Sequence, residues 1–84
     1  MEQCLPLSAV EIGQKCVITA VGENVCNAKR LAELGFTAGT AVTPVHAAPL
    51  GGDPRAYFIR GTVMALRNED AGEISVKTDT ERGI

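Results

Sequence analysis

The sequence has no tryptophan, and its aromatic side chains are Phe36, Tyr57 and Phe58 alone. That is too few rings for the stacking platforms that hold single-stranded nucleic acid. It has no basic excess either, because eight Lys and Arg stand against ten Asp and Glu for a formal charge of -2. Phosphate-backbone binding calls for clustered positive charge, so no nucleic-acid partner is expected. The three cysteines, Cys4, Cys16 and Cys26, form no CxxC pair. They also lack the density that staples small secreted domains, which makes reduced thiols in a cytoplasm the expectation. The first residues, Met1-Glu2-Gln3-Cys4, carry no basic segment ahead of an apolar one, as a secretory signal would. Leu34 to Gly52 is free of formal charge, yet Gly35, Gly39, Pro44, Pro49, Gly51 and Gly52 interrupt it. A membrane span needs ~20 mainly apolar, helix-compatible residues, so no direct membrane insertion is expected.

What the chain does have is 84 residues, 45% of them hydrophobic, enough for a single domain over residues 1–84 with one modest core. Leu5 to Gly13 reads as an entry segment with one short helical turn, since Pro6 removes a backbone donor. Lys15 to Val21 is β-branched and alternating, a first strand with Cys16, Ile18 and Ala20 on one face. Asn24 is placed to cap a helix from Val25 to Leu34, in which Val25, Ala28, Leu31 and Ala32 form an apolar stripe. Gly35 suits the left-handed closure of that helix, with Phe36 folding back on Leu31. Strands follow at Thr40–Ala47, Arg55–Arg60, Thr62–Arg67 and Glu73–Lys77. Pro44 puts the first of these at an edge or a bulge. Ala48 to Pro54 is a Pro- and Gly-rich connector, Asn68 to Gly72 a turn, and residues 78–84 a frayed tail. Five strands and one helix after the first strand predict a mainly β fold, a small SH3-like barrel, because curling the sheet is the economical way to manage its edges.

Catalytic chemistry finds no footing. His46 is the sole histidine and has no identifiable nucleophile at a telling spacing, while Glu69 and Asp70 read as a solvated turn. Pro49-Leu50-Gly51-Gly52-Asp53 is glycine-rich without the Lys and the following helix of a phosphate loop. For a metal, Cys16, Cys26 and His46 are the candidate ligands, with Asp53, Glu69 and Asp70 also competent for Fe(II). Their spacing matches no ligand pattern, and the cysteines read more simply as core filler.

Arg30-Leu31-Ala32-Glu33-Leu34-Gly35-Phe36, then Gly39 and Val42, then Pro49-Leu50-Gly51 with Asp53-Pro54, then Gly61, Ala65-Leu66-Arg67 and Glu69 resemble, in order and spacing, the ferrous iron transport protein A (FeoA) family. The resemblance covers about Leu7 to Lys77, with Ala38 and Ile12 standing where the family often has proline. It implies a cytoplasmic SH3-like domain, not an enzyme, that assists the ferrous iron transporter FeoB by binding its cytoplasmic GTPase domain or its membrane region. It brings no catalytic residue and no required cofactor. The alternative is a transition-metal sensor or delivery protein that binds Fe(II) itself.

For a docking protein, the helix residues Asn27, Arg30 and Glu33 together with Pro49, Leu50, Gly51 and Asp53 of the connector form the candidate contact surface. An apolar side chain at a loop tip is a natural interface anchor. Leu50→Asp is therefore expected to weaken partner binding and leave the melting temperature nearly unchanged. A collapse of the melting temperature would instead make Leu50 a core residue.

Overall fold

A three-residue strand, β1 (Cys4–Pro6), leads into a 3-10 turn at Leu7–Ala9. The computed structural model describes residues 4–22, 25–49 and 51–78, apart from the side chains of Val25 and Cys26. The sequence predicts only the helical turn in this segment. Strand β1 arises from a long-range pairing, in which Cys4, Leu5 and Pro6 lie antiparallel to Lys77, Val76 and Ser75. It sits at the sheet edge, where Pro6 can do without a donor.

Strand β2 (Cys16–Val21), helix α1 (Val25–Glu33), strands β3 (Ala41–Ala47), β4 (Arg55–Ile59) and β5 (Thr62–Leu66), a one-turn helix α2 (Asn68–Ala71) and strand β6 (Ile74–Thr78) complete the described chain. All strand pairs are antiparallel, in the order β1-β6-β2-β3-β4-β5. The fold is mainly β, as the sequence predicts, with six strands and a second short helix among the described residues. Thr78 belongs to β6, and residues 79–84 of the expected tail lie outside the described residues.

Two irregularities bend the sheet. One falls between Ile18 and Ala20 in β2. The other falls between Pro44 and His46 in β3, where the proline cannot donate and its carbonyl instead accepts from the Gly13 N–H at 2.7 Å. Bulges raise local twist, and the curled sheet wraps a core that includes Leu7, Ile18, Leu31, Phe36, Tyr57, Ile59 and Ile74. Beyond the bulge in β2, Ala20 is exposed, which ends the alternation expected for that strand.

Helix α1 contributes a narrower stripe than its sequence suggests. Leu31 is fully buried, Ala28 half-buried and Ala32 exposed, while the expected cap Asn24 lies outside the described residues. The helix closes as its sequence predicts: the Phe36 N–H donates to the Leu31 carbonyl at 2.9 Å and the Gly35 N–H to the Ala32 carbonyl at 3.0 Å. Gly35 takes φ +106°, which favours glycine, and Phe36 enters the core beside Leu31.

The one buried charged side chain among the described residues is Arg55, 8% exposed at the start of β4. Its Nη1 donates to the Ser8 carbonyl and its Nη2 to the Val10 carbonyl. Its guanidinium carbon stands 5.6 Å from the centre of the Tyr57 ring, within reach of a cation–π interaction. Tyr57 in turn meets Phe36 edge to face, with centroids 6.4 Å apart. Arg55 thereby fastens the segment after β1 to a strand four places away across the sheet. Arg55→Met keeps most of the apolar bulk and removes both donors, so it should lower stability in urea denaturation by roughly 3 kcal/mol. A loss below ~1 kcal/mol would show that the clamp is dispensable.

Candidate functional site

Asn27 and Arg30 stand one helical turn apart on α1 and face α2. Arg30 Nη2 donates to Asn27 Oδ1 at 2.7 Å and to Asp70 Oδ2 at 3.0 Å. Asn27 Nδ2 donates to Glu73 Oε1 at 2.9 Å and to Asp70 Oδ1 at 3.4 Å. Asp70 is therefore tied to α1, where the sequence suggests a solvated turn, and Glu69 alone of that acidic pair is exposed. With Arg30 half exposed, the pair with Asp70 orients side chains more than it stabilises the fold.

The connector reaches the same short helix from its other end. Asp53 Oδ1 accepts from the Asn68 backbone N–H at 2.9 Å and lies 3.6 Å from Arg67 Nε, while Asn68 Nδ2 donates to the Gly52 carbonyl at 3.2 Å. Asp53 thus caps α2 from fifteen residues away. Pro49 and Gly51 are exposed, and Leu50 lies outside the described residues. Of the residues proposed from sequence, α2 gathers Asn27, Arg30 and Asp53. Glu33 lines a separate open recess beyond the end of α1, together with Leu34, Gly35, Thr37, Arg60 and Thr62.

Sequence reasoning missed the ties of Asp70 and Glu73 to α1, and it missed an apolar pair on the outer sheet face. Phe58 and Val63 lie directly opposite each other on β4 and β5 and are 47% and 57% exposed. The signal was present, since Arg55, Tyr57 and Ile59 point inward and alternation sends Phe58 out.

Of the candidate metal ligands Cys16, Cys26 and His46, two have described side chains, one buried and the other exposed. Cys16 is fully buried, its Sγ donating to the Val42 carbonyl at 3.3 Å, and burial pushes its thiol up to about 11. His46 is exposed on β3, and the side chain of Cys26 lies outside the described residues. Among the described residues no three His, Cys, Asp or Glu side chains gather into a ligand set. No helix among them is long and apolar enough to cross a membrane.

A strongly curled antiparallel sheet around one core, with a single helix after β2 and polar loops tied to a one-turn helix, defines a small SH3-like β domain. The family model described as the FeoA domain matches residues 5–78. The chain belongs to the FeoA family of ferrous iron transport proteins. It is 39% identical over 71 residues to an Fe(2+) transport protein A/Fe(2+) transporter FeoB fusion protein of Porphyromonas gingivalis, a match that covers 84% of this chain and 8% of that protein. The solution structure of a FeoA-like protein from Clostridium acetobutylicum superposes with a TM-score of 0.87 at 27% identity, covering 100% of this chain and 96% of that one. The zinc-complexed crystal structure of Stenotrophomonas maltophilia FeoA, described as a prokaryotic SH3 domain protein, superposes with a TM-score of 0.73 at 33% identity, covering 90% and 88%.

The buried thiol has a measurable consequence. Cys16 holds its proton more tightly in the folded chain than at its ordinary 9.0. Its contribution to stability is therefore complete below pH 9.0 and is lost as the pH rises through about 11. Burial shifts Tyr57 in the same direction. Urea midpoints are expected to fall across that alkaline window, and Cys16→Ala should flatten part of the fall. At neutral pH a thiol reagent should label exposed Cys4 in the native protein and reach Cys16 only on unfolding.

Proposed function

We propose that this chain is a non-enzymatic accessory protein of ferrous iron uptake that acts in the cytoplasm by docking on a FeoB-type transporter. The observation that carries the reading is the relative in which a segment 39% identical to this chain belongs to a FeoA/FeoB fusion protein. Covalent fusion raises the effective concentration of two partners and favours pairs that work in contact. This chain spans 8% of that fusion protein, so transport itself would belong to the partner.

The contact surface in this reading combines Asn27, Arg30 and Glu33 with Pro49, Leu50, Gly51 and Asp53. The bonds between α2 and Asn27, Arg30 and Asp53 support it, because side chains held before binding lose less freedom on binding. The exposed Phe58–Val63 pair offers apolar area to the same kind of partner. No cofactor is required. A second reading, a metal-responsive protein that takes up Fe(II) through Cys26 or His46, draws its support from the zinc complex of the S. maltophilia relative.

The test is a titration of the labelled protein with the cytoplasmic GTPase domain of its FeoB, followed by amide chemical shifts, without oxygen and without iron. Shifts concentrated in α1 and residues 49–54 are expected. No shift at saturating partner would overturn docking on the GTPase domain, and shifts that appear only after Fe(II) is added would favour the metal-responsive reading.

A further inference from the structure

The turn between β4 and β5 contains only Arg60 and Gly61, with Ile59 paired to Thr62 across it. Both residues have positive φ, +52° and +82°. This is the two-residue hairpin geometry that Asn-Gly or Asp-Gly fills best, and a long side chain at its first position is uncommon and strained. Arg60 is the only non-glycine residue with positive φ among the described residues. No internal partner accounts for it, since no ion pair or hydrogen bond engages its guanidinium among the described residues. The end of α1 does not call for it either, because the Leu31 and Ala32 carbonyls already accept from Phe36 and Gly35.

The side chain is nevertheless seated. A Cβ on Gly35 would come within 3.0 Å of Arg60 Cδ, so the glycine that closes α1 also makes room for the arginine stem. Arg60 lines the recess beyond α1 together with Glu33, Leu34 and Thr62. At about 480 Å³ and open to solvent, the recess has the volume of a small-molecule site without the enclosure that buries one. A cation and an anion share it without pairing within 4.0 Å. That arrangement complements a protein segment carrying an acidic residue beside a basic one, and Glu33 opposes a multiply charged phosphate.

We infer that Arg60 is a docking residue, held in a strained turn so that its planar fork can take the carboxylate of an Asp or Glu on the partner protein, with Glu33 facing a neighbouring Lys or Arg. This inference rests on the docking reading proposed above. Strain retained at an exposed turn and directed to binding predicts that stability and affinity separate on mutation.

Binding of the wild-type chain and of Arg60→Asn, Arg60→Lys and Glu33→Gln to full-length FeoB in nanodiscs tests it. Arg60→Asn should raise the melting temperature by about 4 °C and weaken binding about tenfold. Arg60→Lys, which keeps charge without the fork, should fall between wild type and Arg60→Asn. Glu33→Gln should weaken binding less than Arg60→Asn. A raised melting temperature with unchanged affinity would overturn the role of Arg60 and leave the docking reading standing. Failure of the wild-type chain itself to bind would overturn both. Saturable shifts of the Arg60 Nε–H resonance with inorganic phosphate would mark a free-anion site and overturn the partner assignment.

Discussion

The six strands are ordered from β1 to β5 without a pairing that joins those two edges among the described residues, so something other than a strand ladder must hold the sheet curled. Besides the two bulges, the Arg55 guanidinium supplies such a tie, donating to the Ser8 and Val10 carbonyls from the start of β4. Burying a cation is expensive unless its donors are satisfied; here Nη1 and Nη2 each donate to a carbonyl and the guanidinium stands over the Tyr57 ring, while the buried Nε has no partner among the described residues. Lysine offers a single ammonium on a flexible stem and cannot span two carbonyls with a planar fork. The junction adjoins the Tyr57–Phe36 contact, and both rings share one core with Leu31 of α1 and Leu7 of the entry segment.

Helix α2 organises the polar surface as Arg55 organises the interior. One short helix accepts Arg30 and Asn27 at Asp70 and receives its cap from Asp53. A four-residue helix has little stability of its own, so it persists because two distant parts of the chain hold it. The reverse also follows, in that neither α1 nor the connector can shift without disturbing the other. Glu33 and Arg60 stand outside this arrangement, in a recess with no internal ion pair among the described residues.

How far the sequence reveals these features depends on how local their causes are. The closure of α1 at Gly35 is visible because its two hydrogen bonds join residues three and five apart. The bulge at Pro44 is visible because the missing donor belongs to the residue itself. Strand β1 is hidden because its partner is β6, at the other end of the chain, and Pro6 argues against a strand from its own position. Helix α2 reads as a turn because its cap, Asp53, lies in another loop. Arg55 looks like an ordinary strand boundary, since the carbonyls that justify its burial lie 45 and 47 residues away. Within the candidate site, Asn27 and Arg30 follow from helical spacing, whereas Asp70 and Glu73 depend on tertiary contacts.

The pairing of β1 with β6 has a mechanical meaning. These strands are antiparallel, and Cys4 lies opposite Lys77, so the first and last described strands present their outer ends at the same place. Tension applied between those ends loads the pairs in sequence, from Cys4–Lys77 to Leu5–Val76 to Pro6–Ser75, as a zipper opens. Hydrogen bonds loaded one at a time yield at lower force than a ladder sheared all at once. Joined to a larger moving protein through both ends, the domain would act as a soft link that peels at β1 first, while the Arg55 clamp behind it keeps the remaining sheet curled.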